Sequence, residues 1–231
     1  MALGSPFFEK VFYHTPYVGP VPIPITDVTP EAFRCVMHYL YTDRVTFKGD
    51  YEAFATYVAS HHFEMDSLKM ECEDYISSLD IQPQNVWSRL ENASRLLMAK
   101  IVRKCLTYIQ RNTLRCLTND AFMSAKPDSI LRLLQMEILE VSEITLLEWL
   151  MCWAKRNIGT DHNLYLREFL APCLIHIRFK AITAKEFCRF TKNYPQLLDE
   201  NDVLKILQYL ELPHANELPQ WCCKLPKRKR C

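Results

Sequence analysis

A chain of 231 residues, 49% of them hydrophobic, holds enough apolar material for one large core or two modest ones, and two small domains suit its length better. Its 28 basic and 27 acidic residues are interspersed and leave a formal net charge of +1, so no long-range field gathers nucleic acid or anionic membrane. The four glycines, each isolated, exclude a glycine-rich phosphate cradle and argue against turn-dense sandwiches and barrels, leaving helices joined by short loops.

The first element, SPFFEKVFY, opens with Ser5 as an N-cap and Pro6 at the first helical position, and carries Phe8, Val11 and Phe12 on one face. The next stretch contains Pro16, Pro20, Pro22 and Pro24, which deny a central strand or helix its donors; only an edge strand near Ile23 and Ile25 fits. Thr29, Pro30 and Glu31 then read as cap, first turn and dipole-favourable acid, ahead of Phe33, Val36, Met37, Leu40 and Tyr41 at helical spacing. An extended piece at residues 44–47 precedes helices over 50–62 and 66–78, each opening with an aspartate as its cap.

From Pro83 to Leu210 the apolar period stays near 3.6, broken at 112–113, 126–127, 159–161 and Pro195, which predicts about seven stacked helices. Residues 142–156 are apolar almost all round and should form the core of the second domain. Thr183 with Glu186 spells a capping box, and Asp199 caps a last helix bearing Val203, Ile206, Leu207 and Leu210. The end, PKRKRC, reads as a disordered basic tail.

Ten cysteines sit mostly singly inside apolar helical patterns, among them Cys35, Cys72, Cys105, Cys152 and Cys188, and no secretory signal precedes them. They read as reduced core thiols of a cytoplasmic protein. The longest apolar stretches fall well short of the roughly 18 residues that span a bilayer, so no membrane partner is expected.

In motif, order and spacing, LGSPFFEKVFY followed by PIPITDVTPEAFRCVMHYLYTDRV resembles the later part of a BTB/POZ domain. ASHHFEMDSLKMECEDYI resembles the paired helices that close such a domain. KCLTYIQRNTLRCLTNDAF and LLQMEILEVSEITLLEWLMCWA resemble the helical BACK domain, and LIHIRFKAITAKEFCRFTKNYPQLLDENDVLKIL the BACK end of BTB proteins that continue into a PHR β-sandwich.

The resemblance implies a mainly α fold: a BTB (α/β) domain over 1–79 lacking its start, an all-helical BACK domain over 80–212, and a tail over 213–231. It implies adaptor function, in which the BTB domain dimerises and binds cullin-3 while a further domain selects the substrate of a RING ubiquitin ligase. By the same analogy Tyr13, His14 and Tyr17, with Tyr41 and Asp43, form the cullin-facing patch, since exposed aromatics often anchor interfaces.

Three departures mark the chain. The family's opening strands and dimerisation helix are expected to be missing, which leaves the BTB partner open and predicts exposed apolar surface on Phe8, Val11 and Phe12. Residues 14–26 contain no acid where the family carries a hydrophobic-x-Glu motif, and no PHR or kelch region is expected after Leu212. Two other readings stay open: a cullin-independent scaffold or transcription-linked regulator, and a short competitor of intact BTB paralogues. Lys227, Arg228, Lys229 and Arg230 are the candidate nuclear-import run for the former.

No enzyme motif occurs: there is no nucleophile elbow, H-E-x-x-H or phosphate loop, so no catalytic residue or cofactor is expected. No metal site is expected either. Adjacent His61 and His62 point about 100° apart on a helix, and Cys222, Cys223 and Cys231 lack C-x-x-C spacing.

Overall fold

The computed structural model describes residues 4–14, 24–158 and 166–229. These residues are largely helical and divide into two compact units, one comprising Met1–Asp80 with Asn92–Val102, the other Ile81–Glu91 with Arg103–Cys231.

The first unit begins with α1 (Pro6–Glu9), which passes directly into a π-helical turn, Lys10–His14. Ser5 caps α1 as its position predicts, and its hydroxyl also donates to the Phe63 carbonyl at 2.6 Å. The Phe8 ring stacks on Phe63 at 5.1 Å, Phe7 meets the same ring edge-on, and Phe33 approaches it from α2. Phe8 is therefore only 4% exposed, which corrects the expectation of an uncovered Phe8; Phe12 does remain 45% exposed and Val11 is half-buried.

Helix α2 (Pro30–Thr42) is capped by Thr29, whose hydroxyl accepts from the Ala32 amide. Helices α3 (Asp50–His62) and α4 (Asp66–Ser78) follow, and α3 packs on both α2 and α4. Their aspartates lie one position inside the helix: Gly49 and Met65 occupy the cap positions without side-chain caps. Asp50 and Asp66 therefore act through the positive helix end and not as caps. Ala32, Val36, Ala53, Phe54, Leu68, Cys72 and Ile76 fill the core between these helices. Ile25 forms no strand and Ile23 lies outside the described residues, while residues 44–47 are a non-helical link between α2 and α3.

Helices α5 (Val86–Arg95) and α6 (Ala99–Arg111) lead to α7 (Thr113–Leu117), α8 (Asp120–Met123) and α9 (Pro127–Gln135), then to α10 (Glu143–Asn157). After α11 (Leu166–Leu174) come a 3-10 turn at Phe179–Ala181, α12 (Ala184–Asn193) and α13 (Glu200–Glu211). Helix α10 is the spine of the second unit, with Ile144, Leu146, Leu147, Leu150, Met151 and Trp153 all buried. Its residues meet α8, α11 and α12, as an almost wholly apolar helix requires. The two buried tryptophans each satisfy their indole N–H on a backbone carbonyl, Trp87 on Cys116 at 3.1 Å and Trp153 on Ala125 at 2.8 Å. Thr183 and Glu186 form the full capping box at the start of α12, and Asp199 caps α13.

Within the basic tail, Trp221, Pro226, Arg228 and Lys229 pack against the second unit. Trp221 donates to Asp202 at 2.9 Å, packs edge-on against Phe179, and lies beneath the Arg167 guanidinium at 4.5 Å. Cys222 is buried, not part of an exposed tail, and Lys229 pairs with Ile138 in a parallel bridge. Cys152 and Cys188, expected in the core, are exposed.

Candidate functional site

An exposed aromatic face on the first unit is the surface that the sequence singles out. Tyr13 in the π-helical turn is 73% exposed and Tyr41 in the last turn of α2 is 71% exposed; His14 and Asp43 are exposed as well. Tyr17 lies outside the described residues. No ring contact or hydrogen bond joins Tyr13 to Tyr41 among the described residues, so the face is two separate clusters, one on each element.

Each cluster has its own supports. The π-helical turn is fixed by the aromatic cluster beneath it and by Lys10, whose Nζ meets both Glu64 carboxylate oxygens at 2.9 and 3.1 Å. Both partners of that pair are largely exposed, so the packing of Phe8, not the ion pair, supplies most of the hold. At the end of α2, Asp43 adopts a left-handed conformation, φ 54°, and its N–H returns to the Tyr39 carbonyl at 2.8 Å. Thr42 Oγ1 donates to the His38 carbonyl at 2.7 Å, and His38 Nδ1 lies 2.8 Å from the Arg44 carbonyl. Burial, and after it the Asp43 carboxylate, push the Tyr39 phenol above its ordinary range. Tyr41 is thus turned out of the stripe that Val36 buries.

Sequence reasoning missed further exposed side chains of the same unit, Tyr51, Met70 and Leu97. Leu97 is 88% exposed and has a positive φ of 57° at the break between α5 and α6. Together with Tyr57, Val58, His61, Lys69 and Leu96 it borders an open groove of about 480 Å³. Nothing in the run LLMAK distinguishes an exposed leucine from a buried one.

In the second unit the structure builds a site around the tail that no motif announced. Arg228 and Glu143 form an ion pair with both side chains 3% exposed. The guanidinium donates besides to the carbonyls of Leu134, Met136 and His176, the last two at 2.9 and 3.1 Å. The other Glu143 oxygen accepts from the Arg178 N–H at 3.1 Å, and Arg178 Nη1 donates to the Pro226 carbonyl at 2.7 Å. Burial, and then the charge of Arg228, hold the His176 imidazole below its ordinary value. Of the proposed import run, Lys227 and Lys229 are exposed, Arg228 is buried, and Arg230 lies outside the described residues.

Among the described residues no three His, Cys, Asp or Glu side chains gather as metal ligands, and no helix is long and apolar enough to cross a membrane. His62 instead packs its ring on Phe7 and Phe63.

Family models match most of the chain: that of the BTB/POZ domain covers residues 1–79, and that of the BACK domain, "BTB And C-terminal Kelch", covers residues 87–192. The chain is a BTB-BACK protein. Its curated relatives include BTB/POZ domain-containing protein 9 of Rattus norvegicus, 26% identical over 154 residues, which are 66% of this chain and 25% of the relative. BTB/POZ domain-containing protein 6 of Mus musculus is 23% identical over 193 residues, 81% of this chain and 35% of the relative. The chain therefore spans between a quarter and about a third of the length of these relatives. As a BTB-BACK protein it is a protein-interaction module. The BTB match contains Tyr13, Tyr41 and Asp43; the BACK match contains Glu143 and His176, whereas Arg228 lies beyond it.

Proposed function

We propose that this BTB-BACK protein works as a substrate-adaptor-type component of a cullin-3 RING ubiquitin ligase, its BTB unit meeting the cullin through the face bearing Tyr13 and Tyr41. The observation that carries the reading is the pair of tyrosines, each more than two-thirds exposed on a helical element of a BTB domain. Rigid, exposed aromatics lose little conformational freedom on binding and commonly anchor interfaces. No residue of the chain is assigned a catalytic role, because in this scheme the ubiquitin chemistry belongs to the partners. Buried, protonated thiols fit a reducing, cytoplasmic setting.

Calorimetric titration with the N-terminal domain of cullin-3 tests this, with light scattering on the same sample to read self-association through the BTB unit. Micromolar or tighter binding is expected, weakened at least tenfold by Tyr41→Ala and by Tyr13→Ala. Absence of heat at any concentration sinks the cullin reading. The acid-free stretch 14–26 favours, as a second reading, a scaffold that uses the same face for another protein; unchanged cullin heats in both tyrosine variants would count against the face itself.

A further inference from the structure

The segment through Arg228 is held in an unusual way for a piece of core. Its guanidinium is buried against one carboxylate and three carbonyls, yet Lys224, Leu225, Pro226, Lys227 and Lys229 around it are exposed. Backbone pairing is confined to Lys229, whose N–H donates to Glu137 at 3.0 Å and whose carbonyl accepts from Leu139 at 3.2 Å. One deep side-chain anchor and a short run of strand-like pairing are the means by which an extended peptide docks on a folded surface. Beside the anchor is a cavity of about 160 Å³ bordered by Ser142, Glu143, Thr183, Glu186 and Lys227. It offers a second carboxylate, Glu186, to the lysine that precedes the arginine.

We propose that this pocket of the BACK unit is a recognition site for extended, arginine-bearing segments of partner proteins with a lysine before the arginine, and that residues 226–229 occupy it in cis as a built-in competitor. The acceptors suit arginine and not lysine: four hydrogen bonds leave Nε, Nη1 and Nη2 in the directions that a planar fork provides and an ammonium does not. Resting on the adaptor reading, the occupant in trans is the recruited protein; the pocket itself does not depend on that reading.

Full-length chain carrying Arg228→Ala frees the pocket while leaving the segment attached. Fluorescence anisotropy with a labelled KLPKRKR peptide, residues 224–230, should show saturable binding to this variant and at least tenfold weaker binding to wild type, whose own segment competes. The same peptide with both Arg228→Lys and Arg230→Lys keeps the charge, carries no arginine, and should bind at least tenfold more weakly. Equal binding to both chains, equal binding of both peptides, or none to a variant that retains wild-type helical circular dichroism would overturn the proposal. Should the variant not fold, wild type provides the measurement: saturating peptide should accelerate hydrogen exchange at the Lys229 amide of the displaced segment, and unchanged exchange there overturns it. Titration of the same preparations with cullin-3 separates the two readings, since loss of cullin heat with peptide binding intact strikes only the ligase assignment.

Discussion

Glu143 and Arg228 are each tolerable in the interior only because of the other. Removing one partner of a buried, hydrogen-bonded pair strands a charge, so Glu143→Ala should cost about 3–5 kcal/mol, whereas the double variant Glu143→Leu, Arg228→Met should lie near wild type. Urea unfolding monitored at the tryptophans measures both. Thiol reactivity offers a second test at this scale. Burial pushes Cys72, Cys116 and Cys222 up to about 12 and Cys105 and Cys173 up to about 11, while Cys152 and Cys188 are exposed. Mass spectrometry after brief alkylation at pH 8 should find label on Cys152 and Cys188 and none on Cys72, Cys105, Cys116, Cys173 and Cys222 until the chain unfolds. Single residues were the least legible scale. Cys152 follows Glu148 by four positions and precedes Lys155 by three, which places it on the wet stripe of α10 opposite Leu150 and Ala154. Cys188 likewise adjoins buried Phe187 but faces outward with Lys185 and Lys192. Helical position, not residue type, decides a cysteine's environment.

Helices were far more legible, because apolar periodicity and end chemistry agree along most of the chain. Thr29, Ser142, Thr183 and Asp199 each cap the helix that follows, with an acid in the first turn. Hydrogen bonds from the Thr183 amide and hydroxyl draw the Glu186 carboxyl below its usual range, so its contribution is complete above its ordinary value of 4.5 and fades as pH falls through the lower folded value. Thr183→Ala should cost about 1 kcal/mol at neutral pH and less in acid, read as a smaller loss in thermal midpoint below pH 4. The misread ends have a local cause: an aspartate before an apolar run suits both a cap and a first-turn position, and at α3 and α4 the chain takes the second. The edge strand expected near Ile25 failed for want of a neighbour, since Ile25 is in no β-pairing among the described residues. Of the candidate site, both tyrosines were identifiable as aromatics at helix ends; the αL corner at Asp43 that ends α2 had no signature beyond a residue type that tolerates it.

At the scale of the whole chain there are two compact units, with a C-terminal segment bound to the second. The binding of that segment was invisible in the sequence: a run of four basic residues resembles any solvated tail, and the acid that meets it lies 85 positions away. His176 links this closure to pH. Its folded value is held below the ordinary 6.5, so the neutral ring's contribution is full above that pH and declines as pH falls through the folded value. Nuclear magnetic resonance titration should place His176 below 6.5 in wild type and move it upward in Arg228→Met, where the neighbouring positive charge is gone. Order of synthesis adds another consequence. The ribosome makes Glu143 85 residues before Arg228, an interval of roughly 4–17 s at typical elongation rates of about 5–20 residues per second. Once His176, Thr183 and Glu186 have followed, the nascent BACK unit carries its carboxylate without its guanidinium, and chains stalled after Glu186 but before Arg228 should capture added KLPKRKR peptide that the released protein refuses.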